Sequence, residues 1–138
     1  MKEVRKILLP MPSISNGEAA LTRGYNFARR FGAHLAILHV RTDGRDIAPL
    51  AGEGLSGAMV EELMRSAEHE SSRHAHDVHK LFERFAAANP DVPLVSRHAT
   101  NGLPFPSVSF TVLRGVESEI IPAQARLSDF TLVPHPDS

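Results

Sequence analysis

Two serines and one histidine lie where apolar runs of the sequence end, a placement that could support nucleophilic chemistry. Ser13 and Ser15 follow the first run, and His39 lies near the end of the second. A serine hydrolase also needs an acid that orients the histidine and donors for the oxyanion, and the first run is not followed by the Gly-x-Ser-x-Gly turn. We therefore expect Ser15 to cap a helix and His39 to be a hydrogen-bonded core residue. A hydrolase using Ser13 or Ser15 is the third of three functional hypotheses.

Four histidines, His69, His74, His76 and His79, lie in one predicted helix. His76 and His79 are close enough on a helix surface to share a metal ion. His74 falls on the predicted buried stripe of the helix, and His69 and His76 lie two turns apart, so the four cannot form one tight cluster. The residues after His69 also fail the His-Glu-x-x-His zinc pattern at its last position. We predict a solvated helix face and no metal.

Residues 52–57 (GEGLSG) satisfy the Gly-x-Gly-x-x-Gly pattern and precede a predicted helix. Backbone amides of such a loop could hold a phosphate. The segment lies well beyond the end of the second apolar run, however, whereas the dinucleotide fingerprint lies in the first turn between strand and helix. We expect a connector that caps the following helix.

The elements that position these residues alternate between strand and helix. Residues 6–13 (KILLPMPS) begin with an apolar run that ends abruptly in Pro and Ser, which is typical of a strand buried on both faces, and we predict the central strand here. Residues 15–18 (SNGE) form a capping box that predicts the start of the first helix, and Gly32 predicts its end. The second strand is predicted at residues 33–40. The apolar stripe of the first helix comprises Ala20, Gly24, Phe27, Ala28 and Phe31.

A long second helix is predicted over residues 58–88 because apolar residues recur at spacings of three and four. Asn89 and Pro90 end it. Residues 89–107 contain four prolines, which predict an irregular crossing with at most a short extended piece at 92–95. The buried stripe of the helix is predicted to comprise Val60, Leu63, Met64, Ala67, Ser71, His74, Val78, Leu81, Phe82 and Phe85.

Two further strands are predicted in the last third of the chain. Residues 108–113 alternate between apolar and hydroxyl side chains, which predicts a strand half exposed at a sheet edge, and Gly115 ends it. A short helix over residues 116–127 should start late or kink, because Pro122 interrupts its hydrogen bonds. Residues 130–133 are predicted to be the fourth strand.

This alternation predicts an α/β domain with a parallel sheet, helices on both faces and ligands at the carboxyl ends of the strands. The 138 residues most simply form one domain, residues 1–138. A net charge of −1 argues against a nucleic-acid partner. No apolar run approaches the roughly 20 residues of a membrane helix, so we expect no membrane partner and a cytoplasmic location. Without cysteine, the chain has no disulfide and no sulfur-ligated metal.

The order and spacing of five segments resemble the universal stress protein family. They are residues 6–10 (KILLP), 28–35 (ARRFGAHL), 38–40 (LHV), 115–121 (GVESEII) and 125–133 (ARLSDFTLV). The resemblance implies a doubly wound, three-layer α/β/α fold of the flavodoxin-like type, also described as adenine nucleotide alpha hydrolase-like. It implies a strand order of 3-2-1-4, followed in complete members by a fifth strand that is missing here.

Two departures from the family bear on its nucleotide site. Nucleotide-binding members carry an acidic residue just after the first strand, where this chain has Pro12, which offers neither charge nor a backbone donor. They also carry a glycine-rich phosphate loop after the fourth strand, where this chain has Pro134, His135 and Pro136. The missing loop would have supplied the amides that cradle phosphates. Fold resemblance alone therefore does not imply ATP binding.

The sequence also suggests a partner surface. Without a fifth strand, residues 130–133 would form an uncovered sheet edge, which folded proteins normally protect. We expect a second copy of the chain or a second domain to cover it. The chain itself is expected to be a truncated single domain or, as we favour, the first half of a tandem protein.

Two hypotheses remain beside the hydrolase. The first is a non-enzymatic stress-response module that works by interaction, with degenerate or absent nucleotide binding and no cofactor. The alternative is an ATP-binding or adenine-nucleotide-binding protein that uses the cleft between the first and fourth strands. A Gly115→Asp change should then abolish binding. The candidate cleft residues are Met11, Pro12, Ser13, Val40, Gly115 and Pro134.

Overall fold

The computed structural model describes residues 4–11, 17–42, 54–95 and 106–133, and the predicted alternation of strand and helix is confirmed within them. The elements are β1 (Lys6–Pro10), α1 (Gly17–Phe31), β2 (His34–Arg41), α2 (Gly57–Ala88), β3 (Ser107–Arg114), α3 (Glu117–Ala125) and β4 (Phe130–Thr131).

The four strands form one parallel sheet in the order β3-β2-β1-β4, as predicted. β1 lies in the interior of the sheet, as predicted, because it pairs with β2 on one side and with β4 on the other. Its register with β2 runs from Lys6 opposite His34 to Pro10 opposite Leu38. The order of strands therefore reverses between β1 and β4, the place where sheets of this kind form a crevice.

Helices cover both faces of the sheet, which gives the predicted three layers. Alternate residues of β1 face opposite layers: Ile7 and Leu9 pack with α1 and α2, and Leu8 packs with α3. All three are almost completely buried. A strand covered on both faces has no polar side to expose, which explains why its sequence is apolar without alternation.

Helix α1 lies close to the sheet at Gly24, where a Cβ atom would stand 3.0 Å from Leu9 Cδ2. Gly32, with φ of +59°, ends the helix as predicted. The predicted apolar stripe is wrong at Phe31, which is exposed, and the buried stripe instead runs through Gly17, Leu21, Gly24 and Ala28. Phe31 continues the spacing of that stripe at the last turn of the helix, where it lies beside Phe27 and Phe130 of β4 rather than under the sheet.

Helix α2 begins after Ser56, whose Oγ accepts a hydrogen bond from the Met59 amide. Its 32 residues span about 48 Å, whereas an eight-residue strand spans about 26 Å. The predicted stripe is buried only from Ser71 onward. The prediction is wrong for Leu63, which lies in the exposed first half of the helix, and for His74, whose side chain is about half exposed.

The remaining segments follow the predictions with two exceptions, the start of α3 and the length of β4, which covers Phe130–Thr131 rather than residues 130–133. Residues 92–95 include the predicted extended piece, because the Val95 amide donates to the Val108 carbonyl. Helix α3 starts at Glu117 and continues through Pro122, so the late start is wrong. The first turn closes before the proline, with the Ile120 amide donating to the Val116 carbonyl.

Strand β4 joins β1 by a short ladder and by one side chain. Asp129 Oδ2 accepts hydrogen bonds from the backbone amides of Arg5 and Lys6, at 2.9 and 3.0 Å. Ile7 pairs with Phe130, and Leu8 pairs with Thr131. The Asp129 carboxylate therefore holds the beginning of β1 against β4.

Candidate functional site

Three of the six predicted cleft residues lie within the described part of the chain, namely Met11, Val40 and Gly115. Pro12, Ser13 and Pro134 lie outside it, as do Ser15 and the first two residues of the 52–57 segment. Met11 follows β1, Val40 is the penultimate residue of β2, and Gly115 follows β3. The structure thus places all three at the carboxyl edge of the sheet.

The same three residues do not share one surface. The Met11 side chain is buried in the layer of α1 and α2, whereas Val40 packs toward α3 on the opposite face. The Gly115 amide donates to the Arg41 carbonyl at 3.0 Å. Because this amide is already bonded, it is not available to a ligand in this structure.

Gly115 has a backbone conformation that favours glycine, which complicates its use as a binding probe. Its φ is +146°, a conformation that residues with a side chain rarely adopt. A Cβ atom there would stand 2.6 Å from Ile120 Cδ1. Gly115→Asp would therefore strain the backbone and displace the Ile120 side chain whether or not a ligand binds.

His39 is a hydrogen-bonded core residue, as predicted, and also has an unbonded ring nitrogen. Its side chain is only 3% exposed, and Nδ1 lies 2.7 Å from the Met11 carbonyl oxygen. A carbonyl can only accept, so Nδ1 donates, and Nε2 is a hydrogen-bond acceptor in the neutral ring. No described residue forms a hydrogen bond with Nε2.

A cavity of about 220 Å³ lies beside His39, between the end of β2, the middle of α2 and the start of α3. We call it the β2–α2 cavity. Of the predicted cleft residues that the structure describes, only Val40 contributes to it. The described residues that line the cavity are His39, Val40, Thr42, Ala67, Glu70, Ser71, His74 and Glu117.

The polar groups of this cavity are mainly acceptors. Glu70 and Glu117 contribute carboxylates, and no lysine or arginine is among its described lining residues. Glu70 Oε1 also lies 3.9 Å from His74 Nε2. The Ser71 hydroxyl donates to the Thr42 carbonyl at 2.8 Å, which fastens α2 to the end of β2. The sequence analysis did not predict that residues of α2 line a cavity. Their helical spacing nevertheless places Glu70, Ser71 and His74 close together on the helix surface.

Two arginines near the cavity are paired with a carboxylate. Arg41 Nη2 lies 2.7 Å from Glu68 Oε1, and Arg114 donates to the same oxygen. Arg41 also donates to the Ser72 hydroxyl. Its Nε is buried and has no hydrogen-bond partner within the described residues. The network ties the carboxyl ends of β2 and β3 to α2.

A second buried histidine lies at the opposite end of the same strands. His34 Nδ1 is 2.7 Å from Ser107 Oγ, and Nε2 is 2.9 Å from Ser109 Oγ. Burial and the nearby positive charge of Lys6 lower the pKa of His34 from its ordinary 6.5 to about 4. The neutral ring joins β2 to β3, and no carboxylate orients it within the described residues, so it lacks the third member of a catalytic triad. The sequence analysis did not anticipate this cluster.

The other sequence candidates have local roles. His79 Nδ1 lies 3.1 Å from Glu83 Oε1, and its ring is 5.6 Å from that of Phe110. Across the described ranges, no group of three His, Asp or Glu side chains could hold a metal ion. Ser56 caps α2, in agreement with the predicted role of the 52–57 segment. None of the described helices is long and apolar enough to cross a bilayer.

A further exposed feature is the aromatic patch formed by Phe27, Phe31 and Phe130. The Phe27 ring centroid is 4.8 Å from that of Phe31 and 6.0 Å from that of Phe130. Phe31 is 44% exposed and Phe130 is 47% exposed. Val133, just beyond β4, is 78% exposed. The patch lies at the β4 edge of the sheet.

A parallel sheet in the order 3-2-1-4, with two helices on one face and one on the other, defines a doubly wound α/β domain of the flavodoxin-like type. The chain is similar in structure to the universal stress protein UspA from Lactobacillus plantarum, with a TM-score of 0.57 and 19% sequence identity. The similarity covers 96% of this chain and 78% of that chain. The domain therefore has a universal stress protein-like fold. No protein-family model and no curated protein matches the sequence.

Proposed function

We propose that this universal stress protein-like domain is a non-enzymatic interaction module of the stress response, and that it binds its partner through the aromatic patch and β4. The observation that carries the proposal is the exposure of this edge. Its ladder to β1 contains two residue pairs, and Phe31, Phe130 and Val133 present apolar surface beside it. Exposed apolar surface next to an unpaired strand edge is typical of a docking site.

The partner that we propose is a second copy of the chain or a second domain. An added strand could satisfy the backbone groups on the outer side of β4, while apolar side chains cover the aromatic patch. We keep the cytoplasm as the proposed location.

Degenerate or absent nucleotide binding is supported by the carboxyl edge of the sheet. The β2–α2 cavity presents Glu70 and Glu117, which would repel a triphosphate. Arg41 and Arg114 are paired with Glu68, and the Gly115 amide is bonded to Arg41. Pro12 replaces the acidic residue of the nucleotide-binding members.

The alternative is ATP or adenine-nucleotide binding at the crevice between β1 and β4. It is favoured by the strand order and by the position of Met11, Val40 and Gly115 at one edge of the sheet. Contacts between the backbone at this crevice and a nucleotide would not depend on the side chains in which this chain departs from the family.

The two functions are distinguished by measuring nucleotide directly. We expect no nucleotide to be released when the purified protein is denatured and chromatographed, and no saturable heat in an ATP titration with or without magnesium. A protein of known ATP affinity serves as the positive control. Nucleotide near one per chain, or saturable binding, would favour the alternative and place function at the crevice.

The partner surface is tested by sedimentation of the chain and of Phe130→Ser. We expect the unmodified chain to form dimers at micromolar concentration and the variant to dissociate, because the change removes the one ring of the aromatic patch that belongs to β4. Leu94→Ser is the matched control, since Leu94 is 53% exposed at the opposite side of the sheet, beside β3. A monomer at high concentration would refute a second copy as the partner. If the variant dimerised as strongly as the unmodified chain, the aromatic patch would not be the dimer contact.

A further inference from the structure

We propose that the aromatic patch of one copy of this chain is covered by the first half of α2, residues 57–70, of a second copy. The inference rests on the proposed function, because it names what binds the same patch. It depends on two exposed apolar surfaces of the described chain that carry opposite charge.

The first surface is the aromatic patch, which has a basic rim on α1. Arg23 and Arg30 lie four positions before and three positions after Phe27, which places all three on neighbouring parts of the helix surface. Both arginines are exposed, and no carboxylate of the described residues pairs with them. The carboxylate that α1 itself carries, on Glu18, lies 3.8 Å from Arg84 of α2 instead. The patch therefore favours a partner that is both apolar and acidic.

The second surface is the first half of α2. Met59 and Leu63 lie one turn apart and are 52% and 43% exposed, whereas every α2 residue in the apolar core lies at or beyond Val78. This half of the helix contains four glutamates and one arginine. Glu62 lies three positions after Met59. Glu70 lies two turns after Leu63, so that carboxylates stand on either side of the exposed apolar pair.

The charges favour contact between these two surfaces over contact between two identical patches. Two patches facing each other would bring the arginines of one copy against those of the other, and like charges repel. The first half of α2 instead brings glutamates to the arginines and places Met59 and Leu63 against the phenylalanine rings, which is a favourable contact for a methionine sulfur. A helix laid over a sheet edge is also one of the ways in which proteins protect such an edge. Each copy therefore supplies the surface that covers its neighbour.

Sedimentation of Met59→Ser tests the apolar part of the contact. The substitution should raise the dissociation constant of self-association about tenfold, because it removes an apolar side chain that the second copy buries. Leu94→Ser is the matched control, since Leu94 is 53% exposed but lies beside β3, and it should leave the constant unchanged. If Phe130→Ser dissociates the copies and Met59→Ser does not, the patch binds a partner but α2 does not cover it.

An exchange of charges tests the electrostatic part. Arg30→Glu and Glu62→Arg should each weaken self-association about threefold to tenfold at low salt, because each turns attraction between the two surfaces into repulsion. An equimolar mixture of the two variants should associate as strongly as the unmodified chain, since the reversed charge of one copy then meets the reversed charge of the other. A variant that fails to fold would not regain association on mixing.

Arg29→Glu and Glu61→Arg are the matched controls for this exchange. Each lies two positions from both exposed apolar residues of its helix and therefore on a different side of that helix, so neither change should affect association. Unchanged association of Met59→Ser, or a mixture that stays dissociated, would overturn the inference and leave the patch as a partner surface. A monomer at high concentration would overturn both the inference and a second copy as the partner.

Discussion

His34 has both ring nitrogens within hydrogen-bond distance of a buried serine hydroxyl, so its two nitrogens must play opposite roles. One carries a proton and donates, and the other accepts. Protonation would place two donors on the ring in a site that also lies near Lys6. The lowered pKa of about 4 follows from burial first and from this lysine second. At neutral pH the ring is therefore a neutral connection between β2 and β3.

The pKa of His34 predicts a loss of stability in acid. In the unfolded chain the ring has its ordinary pKa of 6.5, whereas in the folded chain the pKa is about 4, so the unfolded state binds more protons between these values. Stability is fully present above pH 6.5 and declines as the pH falls toward 4. After allowance for screening by water, we expect this group to lower the free energy of unfolding by about 1–2 kcal/mol at pH 5 relative to pH 7.5.

Urea denaturation of the protein and of His34→Gln at both pH values checks this expectation. The variant lacks the titrating ring, so its stability should change less between pH 7.5 and 5, although it is less stable at pH 7.5. His76→Gln, which removes an exposed histidine from α2, should keep the dependence of the parent. If the free energy of unfolding of His34→Gln changed as much between pH 7.5 and 5 as that of the parent, His34 would not be the source of the acid sensitivity.

At the scale of elements, α2 has two halves with different surroundings. The second half carries the buried residues Val78, Leu81 and Phe85, while Met59 and Leu63 of the first half are exposed. The heptad-like spacing of apolar residues continues through both halves, and so the sequence predicted one continuous buried stripe. Periodicity reports which side chains share a helix face, but not how far a neighbouring sheet extends along that face.

Matched truncations in the two halves test this division. Leu81→Ala should lower the free energy of unfolding by about 3 kcal/mol, because it leaves a cavity in the core. Leu63→Ala should lower it by about 0.5 kcal/mol or less, since its side chain is 43% exposed. Both substitutions replace leucine by alanine within one helix, which keeps the difference in helix propensity the same. Equal losses, measured by urea denaturation, would contradict the division of α2.

At the scale of the whole molecule, sequence patterns predicted the fold better than the site. The unalternating run of β1 indicated a strand covered on both faces, and the alternation of strands with helices indicated the parallel sheet. Gly32 and the 52–57 segment marked helix ends by local backbone chemistry, which depends little on the rest of the chain. These features could be predicted because each is determined by a few neighbouring residues.

The site depends on contacts between distant segments, which such patterns do not report. His39 and Met11 were both singled out, but the hydrogen bond between them requires the register of β1 against β2. The approach of Glu70 on α2 to Glu117 on α3 likewise depends on how two helices sit at one sheet edge. The His34 cluster was missed because its serines are 73 and 75 residues away in sequence.

The bonds from Asp129 to the amides of Arg5 and Lys6 join segments separated by 124 and 123 residues. Closing so long a loop costs conformational entropy before any native pairing offsets it, and such non-local contacts slow folding. On the ribosome, β1 emerges before the other described elements and can pair with β2 early, but its other edge stays open until β4 has been synthesised. β1 is therefore made before the other described strands, and its pairing is completed only when β4 has been made, so its open edge must be protected throughout that interval.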